Sequence, residues 1–216
     1  MDNSTRRNFL FGLGSSLGAV ALTDLLEKTC VLFFESKKSM RFIKQSIKDL
    51  RLILPELHED DRGIFRRSFC KSELLSEGVD FEVKQGNISQ NFKKHTMRGF
   101  HYQVAPSEES KIITCVTGAL YNVVLDLRKD SETYSEWVAL NISSVDKESI
   151  YVPAGCANAF LTMEDNTVVH YYMGDSFSPN SYKGIRYNDP KFKFVWPVEP
   201  KVISERDLNF KDFTDD

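Results

Sequence analysis

The segment from Met97 to Gln103 brings together side chains that could move protons. It reads Met97-Arg98-Gly99-Phe100-His101-Tyr102-Gln103 and contains a cation, a glycine, an imidazole, a phenol and an amide. Because a histidine exchanges protons near neutral pH, His101 is a candidate general base or acid. The alternative is a surface strand that is merely polar. In an ideal strand Arg98 and His101 lie on opposite faces, so both reach one cavity only if Gly99 permits a bulge.

The composition is that of one globular domain. The chain has 216 residues, of which 41% are hydrophobic and 27% are charged, and its formal net charge is -3. This length allows a sizeable core, and the charge gives no indication of nucleic-acid binding. The 16 Phe and 8 Tyr residues suit a β-rich core or a pocket lined with rings.

The cysteines give a prediction about the redox compartment. Cys30, Cys70, Cys115 and Cys156 form no C-x-x-C pair, and none has a histidine at zinc-ligand spacing. We interpret them as free thiols in a reducing compartment, with a disulfide framework as the alternative.

Residues 1–39 differ in character from the rest of the chain. Residues 5–10 (TRRNFL) resemble a twin-arginine export signal, and the uncharged stretch at 9–23 is too short and glycine-rich for a stable membrane span. One interpretation is a genuine export signal. The other, which we favour, is a mis-assigned start, with a cytoplasmic protein that begins near Met40. In both cases the fold prediction covers residues 40–216.

The rest of the chain predicts many short strands. Polar residues at period two (Gln85, Asn87, Ser89) indicate a strand with one face in a polar cavity. Further strands are predicted at 111–116, 119–127, 137–142, 149–152, 159–163 and 167–172, with a turn at 117–118. Such spacing favours an all-β sandwich or barrel. We also predict an edge strand at 52–54, a strand starting near Ile64, a helix at 71–78 with Ser72 as its N-cap, and a short helix at 204–207 followed by a loosely held tail.

Several segments of the sequence resemble the motifs of a known family. The segment from Met97 to Gln103 is similar to the L-R-G-L-H-Y-Q signature of the dTDP-4-dehydrorhamnose 3,5-epimerases. Further segments resemble that family's motifs in the same order. They are residues 60–65 (DDRGIF), 85–89 (QGNIS), 124–128 (VLDLR), 152–157 (VPAGCA), 184–190 (GIRYNDP), 196–197 (WP) and 203–207 (ISERD).

The resemblance implies a fold, a reaction and a ligand. The fold is a cupin-like jelly-roll β-sandwich with a few short helices, expected as a homodimer. The reaction inverts carbons beside a 4-keto group, because the ketone acidifies the neighbouring hydrogens and an enolate can form. It serves deoxysugar (rhamnose-type) biosynthesis and requires neither a metal nor a redox cofactor. The expected ligand is a dTDP-linked, or other nucleoside-diphosphate-linked, 4-keto-6-deoxy sugar.

The resemblance also implies roles for particular residues. His101 matches the base, Asp207 the carboxylate that hydrogen-bonds this imidazole, and Tyr171 the acid. A slip of one residue along that strand would instead place Tyr172 in the site. Lys111 matches a cation for the enolate oxygen. The substrate-binding candidates are Arg62, Phe65, Gln85, Asn87, Arg98, Asn158 and Phe177.

Three positions depart from the family pattern. Asn158 replaces a second histidine, and an amide does not transfer protons near pH 7. Whether both carbons or only one are inverted therefore stays open. Arg67 stands where a glutamate that helps to bind the base is usual, and Tyr172 stands where a lysine is common. The sequence leaves open whether Asp126 is a pocket residue or a buried structural carboxylate.

Three other functions are alternatives for this sequence. A metal cupin would need an H-x-H ligand pair, but His101 is followed by Tyr102 and Gln103. A non-catalytic sugar-binding cupin is the second alternative, and Asn158 keeps it open. The third is an epimerase that inverts a single carbon of another nucleotide-linked keto sugar.

Overall fold

The computed structural model describes residues 39–215. The predictions for the twin-arginine-like segment and for Cys30 lie outside these residues. Within the described part the chain forms thirteen strands and two short helices. The strands are β1 (Met40–Lys44), β2 (Arg51–Pro55), β3 (Leu57–Asp60), β4 (Gly63–Arg66), β5 (Gln85–Asn91), β6 (Met97–Gln103), β7 (Lys111–Thr117), β8 (Ala119–Asp126), β9 (Trp137–Ser143), β10 (Ser149–Val152), β11 (Cys156–Thr162), β12 (Thr167–Met173) and β13 (Tyr182–Gly184), and the helices are α1 (Lys71–Ser76) and α2 (Glu205–Leu208).

The strands form two antiparallel sheets that pack face to face. The first sheet has the order β1-β2-β10-β7-β12-β5 and the second the order β13-β6-β11-β8-β9, while β3 and β4 form a separate hairpin. The turn predicted at 117–118 carries the chain from β7 in the first sheet to β8 in the second. The predicted all-β jelly-roll sandwich with a few short helices is confirmed.

The main core lies between the two sheets. Ile113 and Val169 from the first sheet pack with Val124 and Phe160 from the second. This arrangement follows from strand alternation, because every second residue of each strand points to the same face. Part of the space between the two sheets is not filled by this core and forms a cavity. Polar side chains of the inner faces, such as Gln85, line it.

Two further clusters cover the outer faces. Residues 185–213 fold back over the second sheet, where Phe192 joins Phe100 and Val123 in one cluster. On the first sheet, Leu74 of α1 packs with Ile112. Among residues 39–215, no helix has the length and apolar character needed to cross a membrane.

Three local predictions are wrong. Residues 52–54 lie in β2, which pairs with β10 as well as β1, so β1 is the edge strand. Helix α1 begins two residues earlier than the Ser72 N-cap would allow, because Cys70 occupies the N-cap without a side-chain hydrogen bond. The C-terminal tail is held in place, since the backbone N–H of Phe213 donates to Asp189 Oδ2 at 2.8 Å.

Other local predictions are confirmed. The predicted short C-terminal helix is α2, with Ser204 as its N-cap. The strand predicted from Ile64 is β4, which begins one residue earlier. Cys70, Cys115 and Cys156 are free thiols.

Asp126 is a buried structural carboxylate outside the cavity. Its Oδ2 accepts hydrogen bonds from Arg128 Nη2 at 2.8 Å and from the hydroxyls of Ser131 and Thr133 at 2.7 Å each. Burial raises the pKa of Asp126, but the hydrogen bonds from Arg128 and the two hydroxyls outweigh burial and bring it to about 2. The ionised form therefore ties the β8–β9 connection to the end of β8.

We predict that this carboxylate makes the fold acid-sensitive. The folded pKa lies below the unfolded value, so its stabilisation is present above about pH 4 and is lost as the pH falls to about 2. The loss should reach about 2 kcal/mol in the free energy of unfolding, measured by urea titration at several pH values. Asp126→Asn should lower stability at neutral pH and flatten this pH dependence, whereas Asn at the exposed Asp130 should not. An unchanged pH profile in Asp126→Asn would contradict the assignment.

Candidate functional site

A cavity of about 490 Å³ opens between the two sheets. Strands β5, β7 and β12 of the first sheet and β6 and β11 of the second supply most of its walls. It collects most of the residues predicted for the site. Those that line it are Gln85, Asn87, Arg98, His101, Lys111, Asn158, Tyr171 and Phe177.

His101 and Asp207 form a hydrogen-bonded pair at the cavity wall. Nε2 of His101 lies 2.9 Å from Oδ1 of Asp207, which is buried in helix α2. Burial raises the pKa of Asp207, but the hydrogen bond and the charge of His101 hold it below its ordinary value. An ionised carboxylate only accepts hydrogen bonds, so Nε2 carries the hydrogen and Nδ1 keeps its lone pair. This pairing leaves the second nitrogen able to take up a proton.

Gly99 allows Arg98 and His101 to face the same cavity, although strict strand alternation would place them on opposite faces. Along the β6–β11 pair, His101 lies opposite Asn158 while Arg98 lies opposite Phe160, so the register shifts between them. Gly99 has φ +113°, and a Cβ at this position would lie 2.5 Å from the carbonyl oxygen of Asn158. The bulge predicted from the sequence is therefore present, and Arg98 and His101 line the same cavity.

The strand register also separates Tyr171 from Tyr172. Tyr171 lies opposite Ile113 and lines the cavity, while Tyr172 points to the outer face and packs against Phe69, with ring centroids 5.6 Å apart. Burial raises the pKa of Tyr171; Arg98 lowers it in part and Glu109 adds to the rise. Tyr171 is therefore a neutral phenol, which can donate a proton into the cavity.

Lys111 is a buried cation with two partners in the protein. Its Nζ forms an ion pair with Glu109 Oε1 at 2.8 Å and donates to the backbone carbonyl of His101 at 3.1 Å. Arg98 lies farther out, and its Nε donates to Asn91 Oδ1 at 2.7 Å. Because Asn91 is neutral, the charge of Arg98 is not offset by that contact.

A polar wall faces these groups from strand β5. Nε2 of Gln85 donates to Oδ1 of Asn87 at 3.0 Å, and Oε1 of Gln85 accepts the backbone N–H of Phe177 at 3.0 Å. The predicted period-two pattern of polar residues is confirmed, since Ser89 also lines the cavity. Phe177 is half-exposed and lies 5.6 Å from the ring of Tyr182.

Arg62 and Phe65 are not brought to this cavity within one chain. They lie on the β3–β4 hairpin, where Arg62 pairs with Asp60 at 2.5 Å and Phe65 is 72% exposed. Arg67 also stays outside the cavity and pairs with Glu73 of α1. Within one chain Arg67 is therefore not placed to contact a ligand in this cavity.

Asn158 is held rigidly in the cavity wall. Its Nδ2 donates to Oδ1 of Asn122 at 2.9 Å and to the backbone carbonyl of Val123 at 3.0 Å. Both amide hydrogens are therefore used inside the protein, and the side chain presents only its carbonyl oxygen to a ligand.

The sequence reasoning missed several cavity residues. Glu109 is buried beside Lys111, Arg206 lies over the ring of Tyr182 at 4.9 Å, and that ring lies 5.5 Å from the ring of His101. Glu109 stands two residues before Lys111, so the period of a strand could have placed both on one face. Arg206 immediately precedes Asp207 and could have been found from that neighbour.

The arrangement can move a proton between two sides of one ligand. A histidine oriented by a carboxylate, a neutral phenol and a lysine face one cavity. These are the groups that an enolate-forming proton transfer requires. Among residues 39–215, no set of three or more His, Cys, Asp and Glu side chains is grouped to hold a metal ion.

Comparisons with known proteins agree on one family. The family model described as dTDP-4-dehydrorhamnose 3,5-epimerase matches residues 44–215. The dTDP-4-dehydrorhamnose 3,5-epimerase of Shigella flexneri is 33% identical over 178 residues, covering 82% of this chain and 97% of the relative. The enzyme of the same name from Pseudomonas aeruginosa is 31% identical over 180 residues, with 82% and 97% covered.

Solved structures of this family share the fold. The dTDP-4-dehydrorhamnose 3,5-epimerase of Bacillus anthracis, with TDP and PPi bound, aligns with a TM-score of 0.78 and 33% identity over 81% of this chain and 99% of its own. The Legionella pneumophila epimerase in complex with dTDP-4-keto-L-rhamnose aligns with a TM-score of 0.74 and 29% identity, covering 78% and 90%. A 3'-monoepimerase from Streptomyces bikiniensis in complex with dTDP-quinovose aligns with a TM-score of 0.71 and 30% identity, covering 77% and 84%.

We predict that Gly99→Ala disrupts both the fold and the cavity. A methyl group there would overlap the backbone of Asn158 and Ala159, so the free energy of unfolding should fall by at least about 2 kcal/mol more than in the control. The control is Gly63→Ala, because Gly63 has a similar φ of +119° but no atom within 4 Å of the added methyl. Its cost should be only the backbone strain, roughly 1 to 2 kcal/mol. Chemical denaturation of both variants measures the difference, and equal losses would argue against the close approach.

Proposed function

The chain belongs to the dTDP-4-dehydrorhamnose 3,5-epimerase family, and from that premise we propose how it inverts carbons beside the 4-keto group of a nucleotide-linked 6-deoxy sugar. It is an isomerase of deoxysugar biosynthesis, a sugar epimerase. The observation that carries the proposed mechanism is the His101–Asp207 pair at 2.9 Å, on the same cavity as Tyr171 and Lys111.

In this mechanism His101 is the base. Nδ1 of His101 removes the hydrogen from a carbon next to the ketone, and Asp207 stabilises the imidazolium that forms. The electron pair moves toward the ketone oxygen, where the ammonium group of Lys111 stabilises the enolate. Tyr171 then returns a proton to the opposite face of the same carbon. Its raised pKa keeps the phenol protonated until enolate basicity drives the transfer.

We propose a dTDP-linked 4-keto-6-deoxy sugar as the ligand. The cavity volume of about 490 Å³ suits a small-molecule ligand. Arg98, whose charge is not offset by Asn91, is the cation that would meet the diphosphate, and the Gln85–Asn87 pair offers polar contacts to the nucleotide or sugar. The bound TDP of the Bacillus anthracis relative and the keto sugar of the Legionella relative support this choice.

A homodimer is part of the proposal. The β3–β4 hairpin exposes Ile64 at 47% and Phe65 at 72%, which is unusual for two adjacent apolar residues on a short strand. Packing of this hairpin against a second copy would bury them and would give Arg62 and Phe65 a route to a binding site. The molar mass in solution, from light scattering, tests this part.

A single-carbon epimerase is the second candidate. Asn158 stands at the position of a second histidine, and both of its amide hydrogens are bound within the protein. Because such an amide neither takes nor gives a proton, it supports a reaction with one base only. The 3'-monoepimerase from Streptomyces bikiniensis has the same fold.

The test is hydrogen exchange at the carbons that flank the ketone. We expect the protein in deuterated water to remove the proton NMR signal of dTDP-4-keto-6-deoxyglucose at both carbons if it is a double epimerase. Loss at one carbon would support the single-carbon enzyme. No exchange by folded protein would contradict the dTDP assignment and would favour another nucleotide or the non-catalytic binding protein.

Two substitutions assign the residues within the same experiment. His101→Gln should slow exchange by about 100-fold or more while ligand affinity changes little, because the base is removed but the cavity is kept. Tyr171→Phe should slow inversion, whereas Tyr172→Phe, on the outer face, should leave it unchanged. Equal effects of Phe at 171 and 172 would count against Tyr171 as the acid.

A further inference from the structure

Phe210, in the segment after helix α2, contacts the ring of the proposed base. Its ring centroid lies 6.4 Å from that of His101, and the two ring planes are inclined at 73°. The ring of Tyr182 lies 5.5 Å from that of His101 and 6.5 Å from that of Phe210. These distances are typical of aromatic contacts, so the imidazole belongs to a cluster of three rings.

Gly184 leaves the space that Phe210 fills. Strand β13 pairs with β6 so that Gly184 lies opposite His101. Side chains at directly opposed positions of two strands are neighbours on one face of the sheet, so a side chain at 184 would lie beside the imidazole. A Cβ at Gly184 would overlap the ring of Phe210. The ring of Phe210 therefore occupies the place next to His101 that another residue at 184 would take.

The segment that carries Phe210 is attached on both sides of this residue. Before it, Asp207 of helix α2 lies 2.9 Å from Nε2 of His101. After it, the backbone N–H of Phe213 donates to Asp189 Oδ2 at 2.8 Å. These two attachments keep the ring of Phe210 against the imidazole.

The contact with Asp207 leaves the imidazole of His101 one freedom. The last torsion of a histidine side chain has broad minima, so a single hydrogen-bond partner still allows the ring to tilt. Nδ1, the atom that takes the proton in the proposed mechanism, would move with the ring. Contact with Phe210 restricts this tilt, and a misplacement of about 1 Å can slow a reaction by about 100-fold.

We infer that Phe210 is a positioning residue, which holds the imidazole of His101 in the orientation that proton removal requires. Phe210 acts through His101, since it is not among the described residues that line the cavity. The inference rests on the proposed function, because it takes His101 as the base. The orientation of the imidazole is nevertheless a property that can be measured without turnover.

Kinetics of hydrogen exchange on dTDP-4-keto-6-deoxyglucose give the first test. Phe210→Ala should lower kcat by about tenfold or more and change KM by less than about twofold, because the cavity wall is kept. Gly184→Ala should have the same effect although Phe210 is present, since the added methyl group displaces its ring. This second variant carries the test if Phe210→Ala does not fold.

The control variant is Phe213→Ala. It removes the same side chain three residues further along, where the ring packs 5.2 Å from Phe192 and contacts the ammonium group of Lys191. Phe213→Ala should therefore keep the wild-type kcat.

Nitrogen NMR of the histidine rings gives the second test. Wild-type His101, measured at alkaline pH, should show one tautomer with its hydrogen on Nε2, because Asp207 accepts that hydrogen. Phe210→Ala and Gly184→Ala should populate both tautomers, since the imidazole is then free to turn. The chain has four histidines, and the spectrum of His101→Gln identifies the signals of His101.

Several results would overturn the inference. Wild-type kcat and a single tautomer in both Phe210→Ala and Gly184→Ala would show that Asp207 alone orients the ring. An equal loss of kcat in Phe213→Ala would show that only the attachment of the segment matters. A change mainly in KM would show that Phe210 shapes the binding site. If the wild type exchanges no hydrogen on the keto sugar, the proposed function fails, and the tautomers alone then decide whether Phe210 orients His101.

Discussion

The close approach of strand β6 to strand β11 at Gly99 is the constraint on which the site depends. A side chain at Gly99 would overlap the backbone of Asn158 and Ala159, so only glycine lets the strands meet there. The same bulge turns Arg98 and His101 into one cavity. The backbone N–H of Gly99 also points at Asp207 Oδ2 at 3.4 Å, so the bulge helps to hold the carboxylate that orients His101.

Two of the charged groups that line the cavity are held in pairs. Lys111 is matched by Glu109, and His101 is matched by Asp207, so these groups are held without a large net charge. Arg98 is bonded to a neutral amide and keeps its full charge toward the cavity. This distribution of charge agrees with the proposed ligand, whose diphosphate is anionic and whose sugar is neutral.

The framework around this cavity is stabilised by groups that have no role in the proposed reaction. The ionised Asp126 collects hydrogen bonds from Arg128, Ser131 and Thr133 at the end of β8. Burial raises the pKa of Cys115 to about 11 and that of Cys156 to about 12, so both thiols stay protonated at neutral pH. These groups therefore take no part in the proposed reaction, and the side chains proposed to carry it lie on β6, β7 and β12.

Much of this molecule could be predicted from its sequence, because strand alternation and short motifs are local properties. They predicted the all-β sandwich, the polar face of β5 and the role proposed for His101. The choice between Tyr171 and Tyr172 stayed open until the strand register was known. Only the tertiary structure decided what depends on pairing between distant segments. Residues 52–54 lie in an inner strand of the sheet and not at its edge, and Arg62 and Phe65 lie on a separate hairpin. Glu109 lies against Lys111 in the cavity. The physical reason is that a local pattern states which face a side chain occupies, whereas strand order and bulges decide what that face meets.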